Sequence, residues 1–335
     1  MTDLKRIFSL LSLILIGCFL LSVFSGCSSV LTADSLDSPH DAPFTEYENG
    51  ILPHPAKDNV LNILVVGSSA AAHFPDELVG MLTADGGQKV RVCHAYSSGL
   101  TLKTQWEWLR GGTGHYELRT FDSHGKRVET EMTLGKILLR ERWDVISFYQ
   151  TPGQFRTGVT EDARKSCIYA SSLYDLARET HPDARYLWYQ IWGFQVGYQG
   201  PNNVEDYASY PDKYKILTKE KQTAMYEAAK IVAGEMCQAH KADRVPAGDA
   251  WQIARSEPLI GDTLCGRDGN SHGDYQHDGD TGGGQYLNAC VWYEILTGKS
   301  CIGHPWRPSY ELSEDKIPLL QAAAHQAVAE AGTAS

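Results

Sequence analysis

The sequence predicts an α/β protein built on a mostly parallel sheet with helices on both faces. Three observations carry this prediction. From residue 60 onward, short apolar runs alternate with longer stretches of helical period. The apolar runs are nearly continuous, the pattern of strands buried on two sides. Polar loops containing Gly, Ser and Asp follow those runs, where reactive groups collect in such folds. The chain has 335 residues and 42% hydrophobic content, enough for a sizeable core and incompatible with disorder or a collagen-like repeat.

Taken in order, Val60 to Val66 reads as a buried first strand, and Ala70 to Leu82 as a helix with Pro75 in its first turns. Val90 to Ala95 is a second strand and Thr101 to Arg110 a helix. Tyr116 to Met132 alternates around Asp122 to Gly125, a hairpin signal, so a small β-hairpin insertion is expected over about 112–132. Asp144 to Tyr149 is a third strand, Glu161 to Glu179 one helix, Tyr186 to Ile191 a fourth strand and Lys219 to Ala239 a long helix. Arg244 to Ala247 makes a fifth strand and Gly282 to Leu296 a late helix. The sheet is thus expected to have five strands.

Ahead of the domain, Lys5 and Arg6 precede an apolar block from Ile7 to Phe24 that ends in Ser25, Gly26 and Cys27. A basic start, an apolar run and small residues before a cysteine describe an export signal over 1–26. The ending resembles the lipobox of bacterial lipoproteins, which implies lipidation at Cys27. Cys18 lies in a similar context inside the run, and the block is also close to the roughly 20 residues that span a bilayer as an uncleaved anchor. Residues 27–56 are rich in Ser, Asp and Pro and read as a tether. The domain is expected over 57–305, followed by a tail with a helix over 306–335. The expected location is the cell envelope, with the membrane engaged through the lipid anchor.

Charge narrows the partners. Forty-one Asp and Glu against 30 Lys and Arg leave a net charge of −11, and no dense basic stretch could follow a phosphate backbone, so no nucleic-acid partner is expected. Six cysteines lie beyond the tether, at 93, 167, 237, 265, 290 and 301. None has CxxC spacing, and Cys290 with Cys301 fits either a short bridge or two buried thiols.

The loops after the strands hold the candidate chemistry. Gly67, Ser68 and Ser69 follow the first strand; Ser97 to Gly99 the second; Gln150 the third; Trp192 the fourth; and Gly248 to Trp251 the fifth. Asp274 and His277 lie just before the late helix. A serine hydroxyl needs a histidine to take its proton, and the histidine needs a carboxylate to set its tautomer. Asp and His three residues apart can deliver both partners to Ser69. A helix start at Ser69 would add backbone N–H groups where negative charge develops. Gly269 to Gly273 (GNSHG) also fits a Gly-x-Ser-x-Gly elbow, but no strand precedes it and no helix follows.

The segments at Ile63 to Ser69, Trp143 to Gln150, Leu187 to Trp192, Val245 to Ala250 and Gly284 to Cys290 resemble the SGNH, or GDSL-type, hydrolases, in particular a bacterial branch of that superfamily without assigned function. The resemblance implies a flavodoxin-like three-layer α/β/α fold and an acyl-enzyme mechanism without a cofactor. It assigns Ser69 as nucleophile, His277 as general base, Asp274 as its orienting acid and Gly99 as an oxyanion-hole donor. The superfamily's Gly-x-Asn-Asp block is absent here, and Gln150 stands at its strand end with the same amide one methylene longer. Ser68 stands where most members have Asp.

Trp188, Trp192 and Trp251 fall on the expected active edge, where aromatic faces suit a sugar ring or an acyl chain. The expected substrate is therefore an ester-bearing small molecule or glycan, with deacetylation of an extracellular carbohydrate preferred over lipid hydrolysis. Two other readings compete. One is a glycan-binding envelope lipoprotein with a degenerate hydrolase fold; the other is a metal-dependent hydrolase using His272, Asp274, His277, Asp278 and Asp280. No HExxH or EF-hand pattern supports a metal, and none is assigned.

Overall fold

A computed structural model describes residues 59–86, 89–198, 217–266, 277 and 279–333. The N-terminal block, Cys27, the tether and Asp274 lie outside the described residues.

The first strand, β1 (Val60–Gly67), pairs in parallel with β2 (Lys89–Tyr96) on one side and β5 (Val145–Phe148) on the other. Beyond β5 come β6 (Arg185–Tyr189) and β7 (Asp243–Val245), also parallel. These five strands run β2-β1-β5-β6-β7, so the order reverses at β1, and the crevice of such a sheet lies at the carboxyl ends on either side of that strand. The hairpin β3 (Tyr116–Asp122) and β4 (Gly125–Met132) is part of the same sheet rather than a separate insertion. It pairs antiparallel with β2, making a sheet of seven strands among the described residues. The outer strand β4 is almost wholly exposed and carries Lys126, Arg127, Glu129 and Glu131, charges that discourage edge-to-edge pairing.

Helices cover both faces. On one, α1 (Pro75–Ala84), α7 (Ala247–Ser256), α8 (Gly284–Thr297) and α9 (Lys316–Thr333) pack together. On the other are α2 (Leu102–Arg110), α3 (Leu134–Arg140), α4 (Thr160–Cys167), α5 (Ala170–Thr180) and α6 (Lys219–His240). Thr101, Thr133 and Thr218 cap α2, α3 and α6 by accepting a hydrogen bond from the backbone three residues on. Leu320, Ala324 and Ala327 of α9 are fully buried, so the segment expected as a tail completes the core.

Three departures from the sequence reading have local causes. The helix expected over 70–82 is a 3-10 turn at Ser69–Ala71 followed by α1, which starts with Pro75 because proline has no N–H to give to a preceding turn. The helix expected over 161–179 breaks between α4 and α5. Ser166 Oγ donates to Ala163 O at 2.7 Å, and Ser166 O accepts from Gln150 Nε2 at 3.2 Å instead of serving only a continuous helix. Helices α3 and α7 are additions; α7 holds Gly248 and Asp249, residue types that read as loop. Gly248 fits there because it lies against the backbone of Ile191, and Asp249 is buried, accepting from Gln190 Nε2 at 2.9 Å and Tyr226 OH at 2.8 Å. Cys290 and Cys301 are both buried thiols, and Cys301 Sγ donates to Gln321 O.

Two buried histidines make the fold acid-sensitive. Burial, aided by the charges of Arg119 and His73, pushes His94 down to about 3. Burial and Arg178 push His240, stacked on Tyr174 at 4.4 Å, down to about 4. An unfolded histidine binds its proton near 6.5, so below that value the unfolded chain holds protons that the native one refuses. The stabilisation from each neutral imidazole is complete above about pH 6.5 and is lost as pH falls toward its folded value, at up to about 1.4 kcal/mol per pH unit per group. Urea midpoints are expected to fall between pH 6.5 and 4, and His240→Gln should flatten that slope without removing it.

Candidate active site

The site forms where β1 ends. Apolar packing is unbroken along the second half of β1, with Ile63, Leu64, Val65 and Val66 fully buried, and the chain then turns sharply at Gly67. No larger residue fits there: a Cβ at Gly67 would lie 2.5 Å from Tyr149 Cζ. Ser68 is buried and extended, its Oγ donating to Thr151 Oγ1 at 3.2 Å, and Ser69 opens the 3-10 turn half-exposed.

His277 arrives from the opposite end of the sequence. Its Nε2 lies 2.8 Å from Ser69 Oγ, a hydrogen bond across 208 residues. Two features bring the loop there. Phe74, just beyond Ser69, stacks on Trp292 of α8 at 5.5 Å and 19°, which ties the serine turn to the helix that the histidine loop enters. Gly282 fits closely against residues 263–266, where a Cβ would fall 2.5 Å from Gly266 N and 2.6 Å from Leu264 O. A second imidazole, His73, stands 5.9 Å from the His277 ring. With the serine hydroxyl donating to Nε2, the imidazole is oriented to accept its proton, the geometry of an activated nucleophile.

Gly99 lies in the neighbouring loop. Ser97 N donates to Gly67 O at 3.3 Å, tying that loop to the strand end that carries the serine. Gly99 itself is exposed at φ +63°, a conformation suited to glycine. Neither its N–H nor that of Ser69 donates to an acceptor among the described residues.

Other expected site residues are elsewhere. Gln150 is fully buried; its Oε1 accepts from Leu102 N at 3.3 Å and Thr151 N at 3.0 Å, and its amide nitrogen serves Ser166 O and the Cys167 thiol. With both amide ends engaged inside the protein, Gln150 holds the α4–α5 break and does not present a donor to the site. Trp188, Trp192 and Trp251 are also buried. Trp192 and Trp251 stack on each other at 4.2 Å and 4°, and Trp251 Nε1 donates to Asn288 Oδ1 at 2.8 Å. These rings join the sheet to its helices and turn no exposed face toward a sugar.

Among the described residues, no cluster of His, Cys, Asp and Glu could hold a metal ion. Asp280 Oδ1 accepts from Thr281 N at 2.7 Å, closing a turn. His272, Asp274 and Asp278 lie outside the described residues. So does the N-terminal apolar block; among the described residues no helix is long and apolar enough to cross a membrane.

Two residues beneath the serine turn went unread in the sequence. Tyr149, the residue before Gln150, donates its hydroxyl to Ser68 O, and His94 Nε2 lies 3.4 Å from the Tyr149 oxygen. The signal that could have found them was a histidine inside the apolar run of β2, an unusual residue to bury without a task.

A three-layer α/β architecture with a serine and a histidine joined at the switch point is the class that fold and site define. Within it, residues 62–327 match the model of the domain of unknown function DUF4886, and the chain belongs to that family. It is similar to a DUF4886 family protein from Bacteroides uniformis ATCC 8492, with 22% identity and a TM-score of 0.65 over 81% of this chain and 95% of that one. A candidate SGNH hydrolase from Slackia heliotrinireducens is 16% identical, covering 71% of this chain and 100% of that one with a TM-score of 0.43. Phospholipase A1 from Streptomyces albidoflavus NA297 is 12% identical, covering 71% and 98% with a TM-score of 0.40. No curated protein matches the sequence.

Proposed function

We propose that the protein is a serine esterase of SGNH type that cleaves an acyl ester through an acyl-enzyme. The observation that carries this reading is the 2.8 Å hydrogen bond between Ser69 Oγ and His277 Nε2, at the sheet position where the family resemblance puts a nucleophile and its base. In this mechanism Ser69 Oγ attacks the ester carbonyl as its proton passes to His277 Nε2. The tetrahedral oxyanion is held by the N–H groups of Ser69 and Gly99. Collapse breaks the bond to the alcohol, which leaves with the proton from His277. Water, deprotonated by the same imidazole, then releases the acid and restores Ser69. Asp274 orients His277 in this reading, and the chain itself supplies every proton acceptor and donor, so the mechanism uses no cofactor.

The acyl group in this proposal is small and sits on an extracellular carbohydrate, with the enzyme lipid-anchored at Cys27. The support for both is the N-terminal export pattern; the buried Trp188, Trp192 and Trp251 lend none. Release of acetate from aryl acetates and from a panel of acetylated glycans tests the proposal. Turnover of at least one ester, unaffected by chelators, is expected. Binding of glycans with no acid release from any ester would favour the non-catalytic reading instead.

A further inference from the structure

The groups beneath the nucleophile form an arrangement that the acyl-transfer scheme leaves unused. Tyr149 is almost fully buried at the end of β5, and His94 is fully buried in β2. The tyrosine hydroxyl donates to Ser68 O. A phenol has one proton to give, so with it committed to that carbonyl, the 3.4 Å contact with His94 requires the imidazole to donate from Nε2. Nδ1 is then the unprotonated nitrogen, and it is buried with no hydrogen-bond partner, an uncommon and costly arrangement. Burial keeps the ring neutral, and backbone oxygens of Ser68 and Gly67 also lie within reach of it.

The geometry of a peptide unit gives this arrangement a consequence. Ser68 C=O and Ser69 N–H belong to one planar group, and the chain has no cis bonds among its described residues, so the two point in opposite directions. A donor that holds Ser68 O toward the buried Tyr149 therefore turns Ser69 N–H the opposite way, away from that ring. We propose that Tyr149 and His94 form a buried clamp on the Ser68–Ser69 peptide that aims the Ser69 N–H at the oxyanion of the acyl-transfer transition state. The clamp rests on the esterase reading for its catalytic role, and Tyr149 and His94 are positioning residues within it. It also accounts for Gly67, since any side chain there would displace the Tyr149 ring.

The test uses Tyr149→Phe, which keeps the ring and removes the hydroxyl. A fully removed oxyanion donor costs about 10²- to 10³-fold in kcat, and a misaimed one less. Per active site counted by titration, Tyr149→Phe is expected to lower kcat for an aryl acetate about 10- to 100-fold with KM changed less than about threefold. His94→Leu should behave alike, while His94→Gln, which keeps an N–H in place of Nε2–H, should recover most of the loss. A Tyr149→Phe variant with wild-type kcat would overturn the proposal, as would a loss confined to stability or to KM. A second readout does not depend on turnover: ¹⁵N NMR should find His94 neutral and protonated on Nε2 between pH 5 and 8. An Nδ1-protonated or cationic ring would overturn the clamp even in an active enzyme. Absence of ester turnover in the wild type would instead defeat the esterase reading, and the NMR result would still decide whether the clamp is formed.

Discussion

Ser69→Ala is expected to lower ester turnover at least about 10³-fold, with folding and urea midpoint little changed. Ser69 is half-exposed, and among the described residues its hydroxyl meets the His277 ring. Its removal opens no core cavity and orphans no buried donor, so the stability cost should stay within about 0.5 kcal/mol, as for surface positions without special contacts. The catalytic cost is large because the whole covalent route depends on that oxygen. Ser68→Ala is the natural control. Ser68 is fully buried and donates to Thr151, so losing its hydroxyl should cost about 1 kcal/mol of stability, while the nucleophile remains.

His277→Ala is expected to cost a comparable factor, at least about 10³-fold in kcat, because neutral serine is a poor nucleophile without a base within hydrogen-bond reach. The double variant Ser69→Ala/His277→Ala should be no worse than either single one. Residues that act as one unit lose their function together, so their effects do not multiply. Fully multiplicative losses would mean that the two side chains act independently, despite the 2.8 Å separation.

The framework and the two ends of the site were legible in the sequence because each left a one-dimensional trace. Strand β1 is an apolar run broken only by Asn62, its end is marked by Gly67 and two serines, and the rule that parallel sheets react at their carboxyl edge singled out Ser69 among many serines. His277 was legible as a histidine three residues after Asp274, just before the late helix that is α8. Side-chain direction leaves no such trace. Gln150 occupies the expected strand end, yet its amide turns inward because the break between α4 and α5 exposes Ser166 O and the Cys167 thiol to it. Trp192 and Trp251 were read as a substrate face from their place in the chain, whereas their mutual stacking at 4.2 Å buries both. Tyr149 and His94 were hidden for the converse reason: one lies just past and the other inside an apolar strand, and both meet the serine turn through a backbone carbonyl. The helix break at Ile168 also depends on a contact between residues far apart in the fold, not on a local Gly or Pro.

Covalent capture addresses the central claim most directly. The wild-type protein treated with a fluorophosphonate should gain one phosphonyl group, and peptide mass spectrometry should locate it on Ser69. Ser69→Ala should remain unlabelled, and His277→Ala should label far more slowly. Labelling at another residue, or labelling of Ser69→Ala at the wild-type rate, would contradict the account.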